Sequence, residues 1–196
     1  MRGPVGPIFG RFVTTPWAAT ALTLLLALAA APRPASGAEV VAGEYDLKAA
    51  FVYHFTHYTE WPEEAFEDGT SPIVVAVVGE DPFRGALERA VRGKTVGGRP
   101  LAFRHFANAD ALEPCHVLYV SPSEREQLGQ IVRDARDFGA LTVADMEEFT
   151  REGGMVRFLT ENKKVRFEIR RKAVEAAGLR IKAQLLKAAH IYRERP

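Results

Sequence analysis

The chain has one cysteine, Cys115, in 196 residues. An internal disulfide is therefore excluded, stability has to come from packing, and only an intermolecular bridge stays open to the thiol. Cys115 stands just before the apolar run Val117 to Val120, which predicts a buried, inert sulfhydryl. Charge of one sign is lacking as well, since 26 Lys and Arg face 25 Asp and Glu. That balance excludes the strongly positive field of a general nucleic-acid binder. After Ala31 no apolar run approaches the roughly 20 residues of a membrane-spanning helix, so the rest of the chain is expected to be soluble. A dinucleotide fingerprint is missing too: the turn after the first strand reads GEDPF, one glycine beside two acids, which is a poor phosphate cradle. There is no internal repeat, no low-complexity linker and no G-x-S-x-G elbow.

What is present begins with the N-terminus. Arg2 and Arg11 precede an uncharged run from Trp17 to Ala31 with Leu24, Leu25 and Leu26 at its centre, followed by Pro32, Pro34 and the small residues Ala35, Ser36 and Gly37. This is the order of a secretory signal, with cleavage expected near Gly37 or Ala38. The run is short for a span and ends in helix breakers, which favours a cleaved signal over an uncleaved anchor. Residues 1–37 are thus expected to be a signal peptide and residues 38–196 a single domain. Arg2, Arg11 and Arg33 leave with the signal and no acid does, so 23 basic residues face 25 acidic ones in the remainder.

From Glu44 to Trp61 the apolar residues Leu47, Ala50, Phe51, Phe55 and Tyr58 recur at spacings of three and four, predicting an amphipathic helix that Pro62 stops. Residues 72–78, PIVVAVV, read as a strand buried on both faces, followed by a turn and a helix through Val91. Leu101, Phe103 and Phe106 outline a second strand, and residues 117–120 a third, after which Ser121 and Pro122 open a helix to about Arg136. Leu141 to Val143 gives a short strand, and Asp145 is expected to cap a helix ending at Gly153 and Gly154. The period then changes. Residues 155–159 and 165–169 alternate around Asn162, an antiparallel hairpin, and a final amphipathic helix is expected around Leu185, Leu186, Ala189 and Ile191. The fold class is α/β: a mixed, mostly parallel central sheet with helices on both faces, closed by a C-terminal β-hairpin and helix.

Chemistry-bearing residues are sparse. His54, His57 and Glu60 share a helix face, but no further His or Cys cluster completes a metal site, so neither metal nor cofactor is expected. Cys115 and His116 are neighbours on a strand and point to opposite faces, which spoils a nucleophile–base pair. Ser121 reads as a helix cap, and a hydrolase built on Ser121, Ser123 or Cys115 would rest on residue type alone. Catalysis is not expected. More unusual are Arg157, Arg166, Glu168 and Arg180 in otherwise apolar stretches. Arg180, just beyond Gly178, is expected to meet Glu168 at the sheet edge. Two readings stay open there, an exposed ion pair and a binding surface with an apolar centre around Val174 and Ile181.

Several segments together resemble the YfiR-like family of periplasmic regulators. They are AAFVYHFTHYTEWP at 49–62, GEDPF at 79–83, GKTVGGRPL at 93–101, CHVLYVSPSE at 115–124, EGGMVRF at 152–158 and VRFEIRRKAVEAAGLRIKAQLL at 165–186. The resemblance covers nearly the whole chain after the signal. It implies a dimeric periplasmic protein that restrains the periplasmic sensing part of an inner-membrane diguanylate cyclase, lowering cyclic di-GMP and biofilm formation without touching the nucleotide itself. It also implies a partner- or ligand-binding surface at Glu168, Val174 and Arg180. Family members with internal disulfides use oxidation state in regulation, and the lone Cys115 departs from that pattern. An alternative is a sensor of a small, amino-acid-like molecule, with Glu168 and Arg180 holding a zwitterion. Trp61 and Pro62 read as core and helix stop.

Overall fold

Six consecutive apolar residues, four of them β-branched valines, make β2 (Ile73–Val78), and all six are buried. A strand buried on both faces belongs inside a parallel sheet, and β2 has parallel neighbours on either side, β4 (Arg99–Phe106) and β5 (Val117–Val120). The computed structural model describes Gly3 and residues 37–192, with side chains from Gly43 onward. The signal peptide expected over residues 1–37 lies outside the described residues, apart from Gly3 and the backbone of Gly37.

Alternate side chains of β2 enter two cores. Val75 and Val77 pack with Ala49, Val52 and Phe55 of α1 (Gly37–Tyr58) and with Leu87 and Val91 of α2 (Ala86–Val91). Val74, Ala76 and Val78 pack with Leu128, Ile131, Val132 and Ala135 of α3 (Leu128–Asp137). Helices therefore cover both faces, as the alternation of strand and helix predicts. The sheet continues through β6 (Leu141–Ala144), parallel to β5, and β7 (Val156–Glu161), parallel to β6. β8 (Lys164–Ile169) returns antiparallel to β7 through Asn162 and Lys163, whose φ values of 51° and 61° are those of a tight turn twisted like the strands it joins. A short β3 (Thr95–Val96) pairs antiparallel with the start of β4 at the other edge.

Four local expectations are corrected. Asp145 caps no helix: residues 145–155 are turns and coil, because its carboxylate is taken by Tyr45 and Lys48 of α1. α2 starts only at Ala86, since the Asp81 carboxylate accepts from the amides of Phe83 and Gly85 and holds residues 81–85 in a turn with Arg84 and Gly85 at φ 50° and 79°. The last helix is shorter than expected. α5 (Ala183–Ala188) stops where Ala189 turns extended at ψ 150°, and His190–Ile191 becomes β10, parallel to β8. Finally, α1 ends at Tyr58, and Thr59–Glu60 forms β1, antiparallel to β9 (Arg180–Ile181). Between β8 and β9 lies the short helix α4 (Arg171–Ala176).

Candidate functional site

The β1–β9 ribbon and α4 enclose a groove of about 640 Å³. Ile169 at the end of β8, Val174 of α4 and Leu179 form its floor, and Trp61, Ile181 and Leu186 its sides. Val174 and Leu179 are buried. Two ion pairs stand on the rim: Arg180 Nη1 lies 3.9 Å from Glu60 Oε2, and Arg171 Nη2 lies 3.2 Å from Glu175 Oε1. The Arg180 side chain is 84% exposed, so such a pair contributes little, at most about 1 kcal/mol, and opens readily toward another partner. An apolar floor with a charged, solvated rim is the arrangement of a surface that receives another molecule.

Trp61 carries more than a helix stop. Its Nε1 donates to the carbonyl of His116 at 3.2 Å, and besides the groove it lines a second hollow of about 300 Å³ with His57, Val96, Arg99 and Lys182. The position follows from the chain: Pro62 ends the ribbon, so the indole is fixed between sheet and surface.

Of the residues singled out from sequence, Val174 and Arg180 meet at this groove and Glu168 does not. In the β7–β8 register Glu168 stands directly opposite Arg157, and its Oε1 accepts from Arg157 Nε at 2.8 Å and from the Thr150 hydroxyl at 2.7 Å. The expected contact between Glu168 and Arg180 is therefore not made. Arg180 is registered against Glu60 instead, because β9 pairs with β1 and not with the large sheet. Arg166 is exposed.

Cys115 is buried, and burial pushes its thiol up to about 12. His116 lies on the other face, against Trp61 and Phe66. The Ser121 hydroxyl accepts from the amide of Ser123 as a cap, while the Ser123 hydroxyl accepts from the amide of Glu80 and donates to Glu124. Neither serine is hydrogen-bonded to an imidazole among the described residues. The His54 and His57 rings lie 6.2 Å apart. Among the described residues no group of three or more His, Cys, Asp and Glu is placed to hold a metal ion.

Sequence reasoning passed over a polar cluster at the carboxyl end of the parallel strands. Lys48 Nζ lies 2.8 Å from Asp145 Oδ2 and 2.7 Å from Glu44 Oε1, and the Tyr45 hydroxyl donates to Asp145 at 2.7 Å. The Lys48 side chain is 5% exposed. Burial pushes the Asp145 carboxyl up, but hydrogen bonds from Lys48 and Tyr45 outweigh it and hold the group below its usual value. Burial, with the Asp145 charge second, pushes the neighbouring Tyr119 phenol up. The available signal was Lys48 itself, three residues after Tyr45 and four before Val52 on the core-facing stripe of α1.

The fold is a mixed, mostly parallel α/β sheet with helices on both faces. The chain belongs to the YfiR/HmsC-like family, whose model matches residues 45–190, from the first half of α1 to β10. The family is one of periplasmic regulators rather than enzymes. No curated protein matches the chain. Among solved structures, a conserved domain protein from Vibrio cholerae O1 biovar El Tor str. N16961 is similar at 11% identity and a TM-score of 0.47, over 62% of this chain and 55% of that one. This chain thus spans about half the length of that neighbour.

Proposed function

We propose that this protein is a periplasmic repressor that binds the periplasmic sensing part of an inner-membrane diguanylate cyclase, lowering cyclic di-GMP and biofilm formation. The observation that carries the reading is the groove: Val174 and Arg180, the positions that the family resemblance points to, converge there with Trp61 and Ile181 around an apolar floor. The contact is made through that floor, with Arg171 and Arg180 selecting acidic groups on the partner. Glu168 serves the site at one remove, by holding the β7–β8 hairpin through Arg157. The protein acts by binding and not by catalysis, as a homodimer exported by its N-terminal signal peptide.

The test is capture from inner membranes with the wild-type protein and with an Arg171→Glu, Arg180→Glu double variant. Both substitutions are at exposed rim positions, so folding is retained. Capture of a diguanylate cyclase by wild type alone supports function and site, whereas equal capture by both removes the site.

A second reading is favoured by the groove's volume, which lies within the range of about 300–1,000 Å³ usual for small-molecule sites. On that reading a small amino-acid-like molecule occupies the groove, with its carboxylate on Arg180. Calorimetry across amino acids separates the two, because a flat response leaves only the protein partner.

A further inference from the structure

We propose that His116 is a proton-sensitive brace that positions Trp61, so that acidification of its surroundings loosens the wall of the groove. This inference rests on the groove reading for its consequence, while its structural part stands alone.

The geometry fixes the state of the ring. His116 Nε2 faces the carbonyl oxygen of Ala65 at 3.1 Å, which can only accept, and His116 Nδ1 faces the amide of Val74 at 3.0 Å, which can only donate. The ring is therefore a neutral imidazole with its proton on Nε2. In that state it ties the 3₁₀ turn Glu63–Ala65 to β2. Phe66 stacks on the same ring at 4.6 Å and 16°, Trp61 meets it edge-on at 5.9 Å, and the Trp61 Nε1 bonds the carbonyl of His116. One residue thus holds Trp61 from main chain and side chain at once.

A second proton has to go to Nδ1. It would face the Val74 N–H, so the imidazolium loses one bond and sets two donors against each other. The charges nearby do not help the cation. On β4, Arg99 lies over the far face of Phe66 at 3.7 Å, and it brings positive charge toward the ring. On the turn itself, Glu63 and Glu64 are exposed to solvent. Cys115, the residue before His116 in the chain, points into the opposite core. Burial, opposed by the bond to Ala65 and aided to a smaller extent by Arg99, keeps the imidazole below its ordinary value of 6.5, so the brace holds at neutral pH and fails on acidification.

Trp17 and Trp61 are the two tryptophans in the chain. In a full-length Trp17→Phe variant, fluorescence therefore reports Trp61 alone. Acrylamide quenching of that signal from about pH 8 to about pH 5 is expected to rise in one step with a midpoint below 6.5. Adding His116→Asn keeps an acceptor for the Val74 amide and removes the titrating ring, so the step should disappear. A step that survives in His116→Asn overturns the proposal, as does a Trp61 signal that stays flat while His116 titrates by NMR. If His116→Asn does not fold, the His116 ring resonances of the Trp17→Phe protein decide alone: their midpoint must coincide with the quenching step. These readouts involve no partner. Membrane capture repeated at both ends of the pH range then tests the groove: the same capture at both, with the quenching step intact, removes the groove reading and leaves the brace standing.

Discussion

Replacing Lys48 by Met removes one charge from a site that has little water to compensate. The side chains of Lys48 and Asp145 are 5% and 12% exposed. Met fills the space of the lysine stem, so the loss isolates the electrostatic part. After the change the Asp145 carboxylate keeps the Tyr45 hydroxyl at 2.7 Å and loses the one cation paired with it among the described residues. Stranding a buried charge costs about 3–5 kcal/mol, and the surviving tyrosine bond places the expectation near the lower end, about 3 kcal/mol. With a urea slope of about 2 kcal/mol per M, the midpoint falls by about 1.5 M at neutral pH. The pH dependence carries a sign. In the wild type the Asp145 pKa is depressed below 3.8, so its contribution is present above 3.8 and lost as pH falls through the lower native value. In Lys48→Met the lowering by Lys48 is gone while burial still raises the carboxyl, so the native value moves up and the stability that Asp145 contributes at neutral pH is reduced. The cost is therefore largest at neutral pH and shrinks on acidification, and adding Asp145→Leu recovers most of it. A loss below about 1 kcal/mol, or one that does not change with pH, would show that the pair behaves as a surface ion pair and refute the reasoning.

Three further outcomes are expected. Arg157→Met leaves Glu168 with the Thr150 hydroxyl and should cost about 1–3 kcal/mol in the same assay; capture of the partner by the folded variant should be weakened less than by the rim substitutions. Cys115 should resist alkylation at mildly alkaline pH in the folded protein, since its thiol is pushed up to about 12, and react fully in denaturant; rapid labelling under native conditions would place the thiol at the surface. Gly79→Ala should be strongly destabilising: φ is 87°, and a Cβ there would meet the Ser123 Oγ at 2.3 Å. A midpoint within error of wild type would show that the loop between β2 and α2 relaxes freely.

The sheet was legible because its strands speak in unambiguous patterns. The IVVAVV run reads as a doubly buried strand, and the alternation of MVRFL and VRFEI around Asn162 reads as a hairpin. Of the three residues that the family resemblance implies, all within the segment 165–186, Val174 and Arg180 line the groove, whereas Glu168 was matched to the wrong partner. Nothing local announces β1 and β9. Two residues are too few for a period of two to show, and their pairing, which turns Arg180 toward Glu60 and away from Glu168, is set by tertiary packing of α1 against the end of the chain. Asp145 failed in a related way. After a strand, an acidic residue reads as a helix cap, but Lys48 lies 97 positions earlier in sequence and offers it an ammonium at 2.8 Å. A side-chain partner so distant leaves no trace in a local window.

On the proposed reading the groove beside Trp61 receives the membrane partner. This is tested most directly by capturing inner-membrane proteins on full-length wild-type protein and on the Arg171→Glu, Arg180→Glu variant, with both shown to be folded by their urea midpoints. A diguanylate cyclase retained by the wild type and lost by the variant is the predicted result. Equal retention of the cyclase by both would contradict the claim.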